Sequence, residues 1–153
     1  MHENYDIDQL LELVENKQFR RLKELLSEMN EVDIAEFMDE VPPEKLIVVF
    51  RLLPKESAAD TFVEMESDCQ ELLIRGFSDS ELKSIVDELY VDDAVDFLEE
   101  VPANMVRRVL ANTDKETRDI INRFLKYPEN CAGSVMTIEM VDLHDRLTVG
   151  EAI

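Results

Sequence analysis

Apolar residues recur three and four apart along most of this chain, with polar residues filling the positions between them. Phe19, Leu22, Leu25, Leu26 and Met29 set the pattern, which is the period of one face of an α-helix. The same spacing predicts helices over 6–15, 17–29, 31–41, 55–65, about 68–75, 79–89 and 91–101. Prolines mark several boundaries. Pro42 and Pro43 stop one helix and seed the next, which carries Leu46, Val49, Phe50 and Leu53 and ends before Pro54. Pro102 opens a helix through Val106, Val109 and Leu110. Ser67-Asp-Cys-Gln70, Ser78-Asp-Ser-Glu81 and Thr113-Asp-Lys-Glu116 have the spacing of capping boxes, and the last opens a helix to about Lys126. Gly76 suits the position just past a helix end. Such short helices with tight connections bury their apolar faces only against their neighbours. The expected fold class is therefore all-α: a right-handed superhelix, or α-solenoid, of about ten short helices.

One stretch carries unusual chemistry. In Val91–Pro102, Val91, Ala94, Val95, Leu98 and Val101 fall on one arc, with Phe97 at its edge. Asp92, Asp93, Asp96, Glu99 and Glu100 fall on the other, without a Lys or Arg between them. Asp92/Asp96 and Asp96/Glu100 are like-charge pairs four apart, each costing about 0.2–0.5 kcal/mol. Glu99 and Glu100 also sit at the end where the helix dipole repels them. Asp33–Pro42 and Asp93–Pro102 align as two copies of one segment, and where the second has Asp92 the first has Val32. A charged helix face is most often simply solvated; the extra acid in the second copy sets Asp92 and Asp96 apart as candidate cation ligands.

Composition sharpens this picture. The formal net charge is −20, from 36 acids against 16 bases. That excludes a general affinity for nucleic acid or anionic lipid, both of which require basic surface. Cys69 and Cys131 lack the spacing of a zinc site or a disulfide framework, which fits a reducing compartment. No apolar run reaches the ~18 residues of a membrane span, and no signal peptide is expected. No phosphate-binding glycine loop, nucleophile–base pair or metalloprotease spacing points to an enzyme. His2 and His144 are isolated.

The pattern changes after Tyr127-Pro128. Asn130-Cys-Ala-Gly-Ser134 is a small-residue linker, Met140–Leu143 reads as a short strand, and Thr148-Val-Gly-Glu151 opens a helix two residues before the end. A helix that short is not stable alone, so the sequence is expected to enter a second, mixed α/β domain here.

The helical repeats with their DDxxD-type segment, the hinge Tyr127-Pro-Glu-Asn-Cys-Ala-Gly-Ser-Val-Met-Thr137 and the ending Thr148-Val-Gly-Glu-Ala-Ile153 together resemble the N-terminal region of the MgtE magnesium transporters. The resemblance implies a helical domain over 1–127, a hinge over 128–137, and the truncated start of a first CBS domain over 138–153. It implies a regulatory domain on the cytoplasmic side of the cell membrane, within a homodimeric integral membrane protein. Its partners would be the CBS domains and the transmembrane pore domain of the same polypeptide, with no direct membrane insertion by this part. Mg²⁺ would draw the domains together and close the pore; low Mg²⁺ would let carboxylate repulsion open it. The metal ligands implied are Asp92 and Asp96, Asp60 in Ala58-Ala59-Asp60, and the backbone carbonyl at Ser134, where the family commonly has glycine.

The architecture also resembles the helical-repeat domains of the flagellar motor switch protein FliG, which implies a protein-interaction module without a metal role. A generic acidic adaptor for a basic protein is a third reading. It predicts salt-sensitive binding with no preference for Mg²⁺.

Overall fold

A computed structural model describes residues 6–128, 131–134, 136–138 and 148. Among these the fold is all-α, as the periodicity predicts, with ten helices: α1 (Ile7–Glu15), α2 (Phe19–Leu26), α3 (Glu31–Glu40), α4 (Pro43–Phe50), α5 (Lys55–Glu64), α6 (Ser67–Gly76), α7 (Asp79–Val86), α8 (Val91–Glu100), α9 (Ala103–Asn112) and α10 (Lys115–Phe124). A 3₁₀ turn follows at Ala132–Ser134. The expected strand at 140–143 and nearly all of the expected 148–153 helix lie outside the described residues.

The helices begin at a constant step of 12 residues from Ile7 to Lys115. The offset of 60 residues between the two aligned decapeptides is therefore five such steps. By that offset the array divides into a first unit, α1 to α5, and a second, α6 to α10. Helices pack on the next-but-one along the chain, α3 on α5, α4 on α6, α7 on α9 and α8 on α10, so the core runs continuously from one unit into the other. That is how a solenoid stabilises units too small to fold alone. Leu22, Ile34, Phe37, Met38, Leu46, Val49, Leu73, Leu82 and Ile121 are fully enclosed along it.

Comparing the units exposes one misfit. Thr61 and Ile121 are counterparts, and both are 0% exposed. Ile121 is apolar, but the Thr61 hydroxyl has no hydrogen-bond partner among the described residues. A buried hydroxyl without a partner costs more than a methyl of the same shape. Thr61→Val is expected to stabilise the protein by about 1 kcal/mol, read as a higher midpoint in urea with an unchanged slope.

Three local expectations meet different outcomes. The Ser78–Glu81 capping box forms in full: the Glu81 amide donates to Ser78 Oγ at 3.3 Å, and the Ser78 amide donates to Glu81 at 2.8 Å. The box at Ser67 does not form. Glu66 is the N-cap of α6, and Ser67 Oγ donates instead to Glu100 on α8. Gln70 turns inward and donates to the carbonyls of Phe62 at 2.7 Å and Val63 at 3.4 Å, binding the end of α5 to α6. The box at Thr113 is also displaced by one residue. Thr113 is buried and bonds back to the Val109 carbonyl, while Asp114 caps α10 by accepting the amides of Glu116 and Thr117. Gly76 lies inside α6 without a positive φ. Its reason is packing, since a Cβ there would come within 2.0 Å of Ile47 Cδ1.

Glu81 adds a second role. Its carboxylate takes a fork from Arg51, 2.7 Å from Nε and 3.2 Å from Nη2, tying α4 to the start of α7. The Arg51 hydrogen bond, followed by those from Ser78, lowers the Glu81 carboxyl from an ordinary 4.5 to about 2. A depressed carboxyl contributes stability above its unfolded value, and that contribution is lost as pH falls through the folded value. Stability is therefore expected to fall between about pH 4.5 and pH 2. Glu81→Gln, which can keep the cap, should cost up to about 1 kcal/mol at pH 7, the worth of a partly exposed ion pair. Denaturation at pH 7 and pH 3 measures this directly; a variant deficit equally large at both would assign the effect elsewhere.

Candidate functional site: the acidic helix and the hinge

Helix α8 has few local reasons to exist. Tyr90 at its N-cap makes no side-chain cap, and no base stands in its last turn. Its apolar side holds it in place. Val91, Ala94, Val95, Phe97 and Leu98 are all buried. Phe97 was expected at the edge of the apolar arc, but it is only 6% exposed. Its ring meets Phe62 of α5 edge-on, with centroids 5.1 Å apart at 73°.

That burial divides the acids. Asp93, Asp96 and Glu100, together with Phe97, line one wall of a groove of about 270 Å³, and Val63, Met65 and Gln70 line the rest. Asp92 is not part of that wall. It is half-buried, and its Oδ1 is enclosed without a hydrogen-bond partner. Its counterpart Val32 is 50% exposed. The first unit thus exposes an apolar group where the second encloses a carboxylate oxygen. No ion pair to Asp92 or Asp96 is formed among the described residues.

The other predicted ligands stand on other elements. Asp60 is exposed on α5. Ser134 ends the 3₁₀ turn; its amide and hydroxyl donate to the Cys131 carbonyl at 3.1 and 2.9 Å. Among the described residues no three His, Cys, Asp or Glu side chains converge as a metal cluster. Asp60, Asp92 and Asp96 therefore do not form one site within this domain. Carboxylate oxygens suit Mg²⁺, which is commonly held by one or two of them and keeps several waters. The α8 carboxylates fit that chemistry as one or two ligands, with the remainder from water or a facing domain; the enclosed Asp92 Oδ1 is closed to a hydrated ion in this arrangement.

Residues outside the sequence-based selection shape the same region. Glu100 accepts from Ser67, and Gln70 floors the groove. Asp92 and Asp96 are themselves four apart, so helical spacing alone does not separate Asp92 from the groove acids; packing around α8 does. On the α3 side, Asp39 accepts the Glu66 amide at 3.2 Å on each oxygen. Burial pushes the Asp39 carboxyl up. Burial, reinforced by Asp39, pushes the neighbouring Cys69 thiol to about 11, which makes it a poor nucleophile.

The MgtE intracellular N domain profile matches residues 29–130. The magnesium transporter MgtE of Thermus thermophilus is 31% identical over 148 residues, covering 94% of this chain and 33% of that protein. The chain thus spans about a third of the length of this curated relative. The crystal structure of the cytosolic domain of the Mg²⁺ channel MgtE in complex with ATP superposes with a TM-score of 0.73 at 30% identity, over 86% of this chain and 54% of that one. The soluble part of a magnesium transporter shares the fold, with a TM-score of 0.74 at 24% identity over 88% of this chain and 54% of that one. With its helical array, its acidic α8 and a profile match running from the start of α3 to the hinge, the chain belongs to the MgtE intracellular N domain family.

Proposed function

We propose that this domain is the cytosolic Mg²⁺-sensing part of a magnesium transporter or channel. In this reading residues 1–127 form the sensing domain, 128–137 the hinge, and 138–153 the start of the first CBS domain. The full-length protein is a homodimer in the cell membrane, with this domain on its cytoplasmic side. Mg²⁺ bridges the α8 acids, Asp92 and Asp96 with Asp60, and the carbonyl of Ser134 to acids of the CBS domains. The bridged arrangement closes the pore. When Mg²⁺ falls, the unscreened carboxylates repel and the domains part. Such a switch requires only that Mg²⁺ bind one arrangement more tightly than the other.

The observation that carries the reading is the acidic side of α8, where Asp92 and Asp96 form no ion pair among the described residues and no base stands in the last turn. Family membership supplies the context, and it does not favour the motor-switch alternative. The test is limited proteolysis of the full-length protein at the 127–137 hinge, with Mg²⁺ raised against Na⁺ at matched ionic strength. Protection by Mg²⁺ alone is expected, and it should be lost in the Asp92→Asn/Asp96→Asn double variant. Equal protection by the two salts would reduce the acidic face to simple charge screening.

A further inference from the structure

Beyond α10 the second unit departs from the first. Sixty residues after Ser67, which opens α6, stands Tyr127, and the chain does not enter an eleventh helix at this point among the described residues. It turns back instead. The Tyr127 amide donates to the Phe124 carbonyl at 2.9 Å, and the two rings meet edge-on with centroids 5.7 Å apart at 89°. The Tyr127 ring is half-buried against the core. Gly133 lies on that ring so closely that a Cβ would stand 2.8–2.9 Å from ring atoms Cγ, Cδ1 and Cε1. A methyl group there would force the ring or the turn to shift as a whole. The Cys131–Ser134 turn bonds then fix the next residue.

We infer that Tyr127 and Gly133 form a clasp that positions the hinge, seating the backbone at Ser134 on the end of α10. Helix α10 packs on α8, so one rigid path links the clasp to the acidic helix. Tyr127 and Gly133 are positioning residues; they act through where they hold Ser134. The consequence for Mg²⁺ rests on the function proposed above, but the clasp itself does not.

The two cysteines provide the readout without any metal. Cys131 lies within the clasp, and Cys69 lies on α6, away from it, so Cys69 reports general loosening of the domain. Alkylation of each is followed by peptide mapping in the 153-residue chain. Gly133→Ala and Tyr127→Ala are expected to speed Cys131 modification at least threefold and leave Cys69 unchanged. Tyr127→Phe, which keeps the ring, should retain the original rate. An unchanged Cys131 rate in Gly133→Ala, or an equal rise at both cysteines in that variant, would overturn the clasp. In the full-length protein, Gly133→Ala should raise the Mg²⁺ concentration for half-protection of the hinge at least threefold. Faster Cys131 modification with an unchanged Mg²⁺ requirement would remove the positioning role. A wild-type protein whose hinge ignores Mg²⁺ would sink the sensor reading and leave the clasp standing.

Discussion

Phe97→Ala is expected to destabilise the protein by about 3–5 kcal/mol, the range for truncating a buried aromatic. The size follows from what holds α8. A ten-residue helix with five acids, no base and no side-chain cap has little propensity to draw on. Its like-charge pairs oppose it further. Burial of one side against α5 and α10 supplies the stability, and Phe97 is its largest buried group. Truncation removes the edge-on contact with Phe62 and opens a cavity beneath the acidic groove. For a chain of this size that loss lowers Tm by roughly 10 °C. Phe97→Leu keeps most of the volume and should cost under about 1.5 kcal/mol. Urea denaturation of the two variants distinguishes the terms. A cost below about 1 kcal/mol for alanine would show that α8 is held by something other than this ring.

The same residue shows where sequence reasoning succeeds and where it stops. The helical array was legible because apolar positions recur at helical spacing and prolines punctuate them. The acidic stripe of α8 and its copy at 33–42 were legible because those segments keep both apolar and acidic positions. Correspondence at the same offset outside these segments was less visible. Some counterparts preserve burial without identity, as Thr61 and Ile121 do. Leu10 and Gln70 are a sharper case, since both are buried. Gln70 is tolerated there because α5 ends beside it and offers two carbonyls. No local pattern announces that a polar residue will find such partners. The displaced capping boxes have the same origin. Ser67 and Thr113 stand at capping spacing, but tertiary partners and a neighbouring aspartate compete for the role.

The candidate site was legible in its chemistry and not in its geometry. Charge and spacing single out Asp92 and Asp96. They do not reveal that Asp92 Oδ1 is enclosed while Asp96 faces the groove. Nor do they reveal that Asp60 stays apart from both as far as any three-ligand cluster is concerned. Those facts depend on how α5 lies against α8, which is set by the Phe62–Phe97 contact thirty-five residues apart in sequence. In a unit whose stability is shared among neighbours, the acidic helix keeps its place only as long as the second unit keeps its shape.

Arg108→Ala tests that dependence, with an expected cost of about 2–3 kcal/mol from charge-assisted bonds and the carbonyls left behind. Arg108 of α9 donates to the Ile74 carbonyl, to the Phe77 carbonyl at 2.6 Å and to Asp79 at 3.1 Å. These acceptors are the end of α6 and the beginning of α7, so one guanidinium closes the second unit across three helices. Its counterpart in the first unit is Val48, 46% exposed, which makes no such closure. The two units therefore reach stability by different means at this position. Lysine cannot reproduce the fork, because its three donors radiate from a single nitrogen. Arg108→Lys should recover only part of the loss, and Val48→Ala should be nearly neutral, within about 0.5 kcal/mol. Hydrogen exchange locates the effect: in Arg108→Ala, amides of α6 and α7 should exchange faster by a larger factor than those of α2 and α3. Uniform acceleration across both units would mean that the solenoid unfolds as one block and that Arg108 holds no particular joint. Local acceleration would place the joint that Arg108 holds within the unit that carries Asp92 and Asp96, as a locally opening segment separate from the first unit.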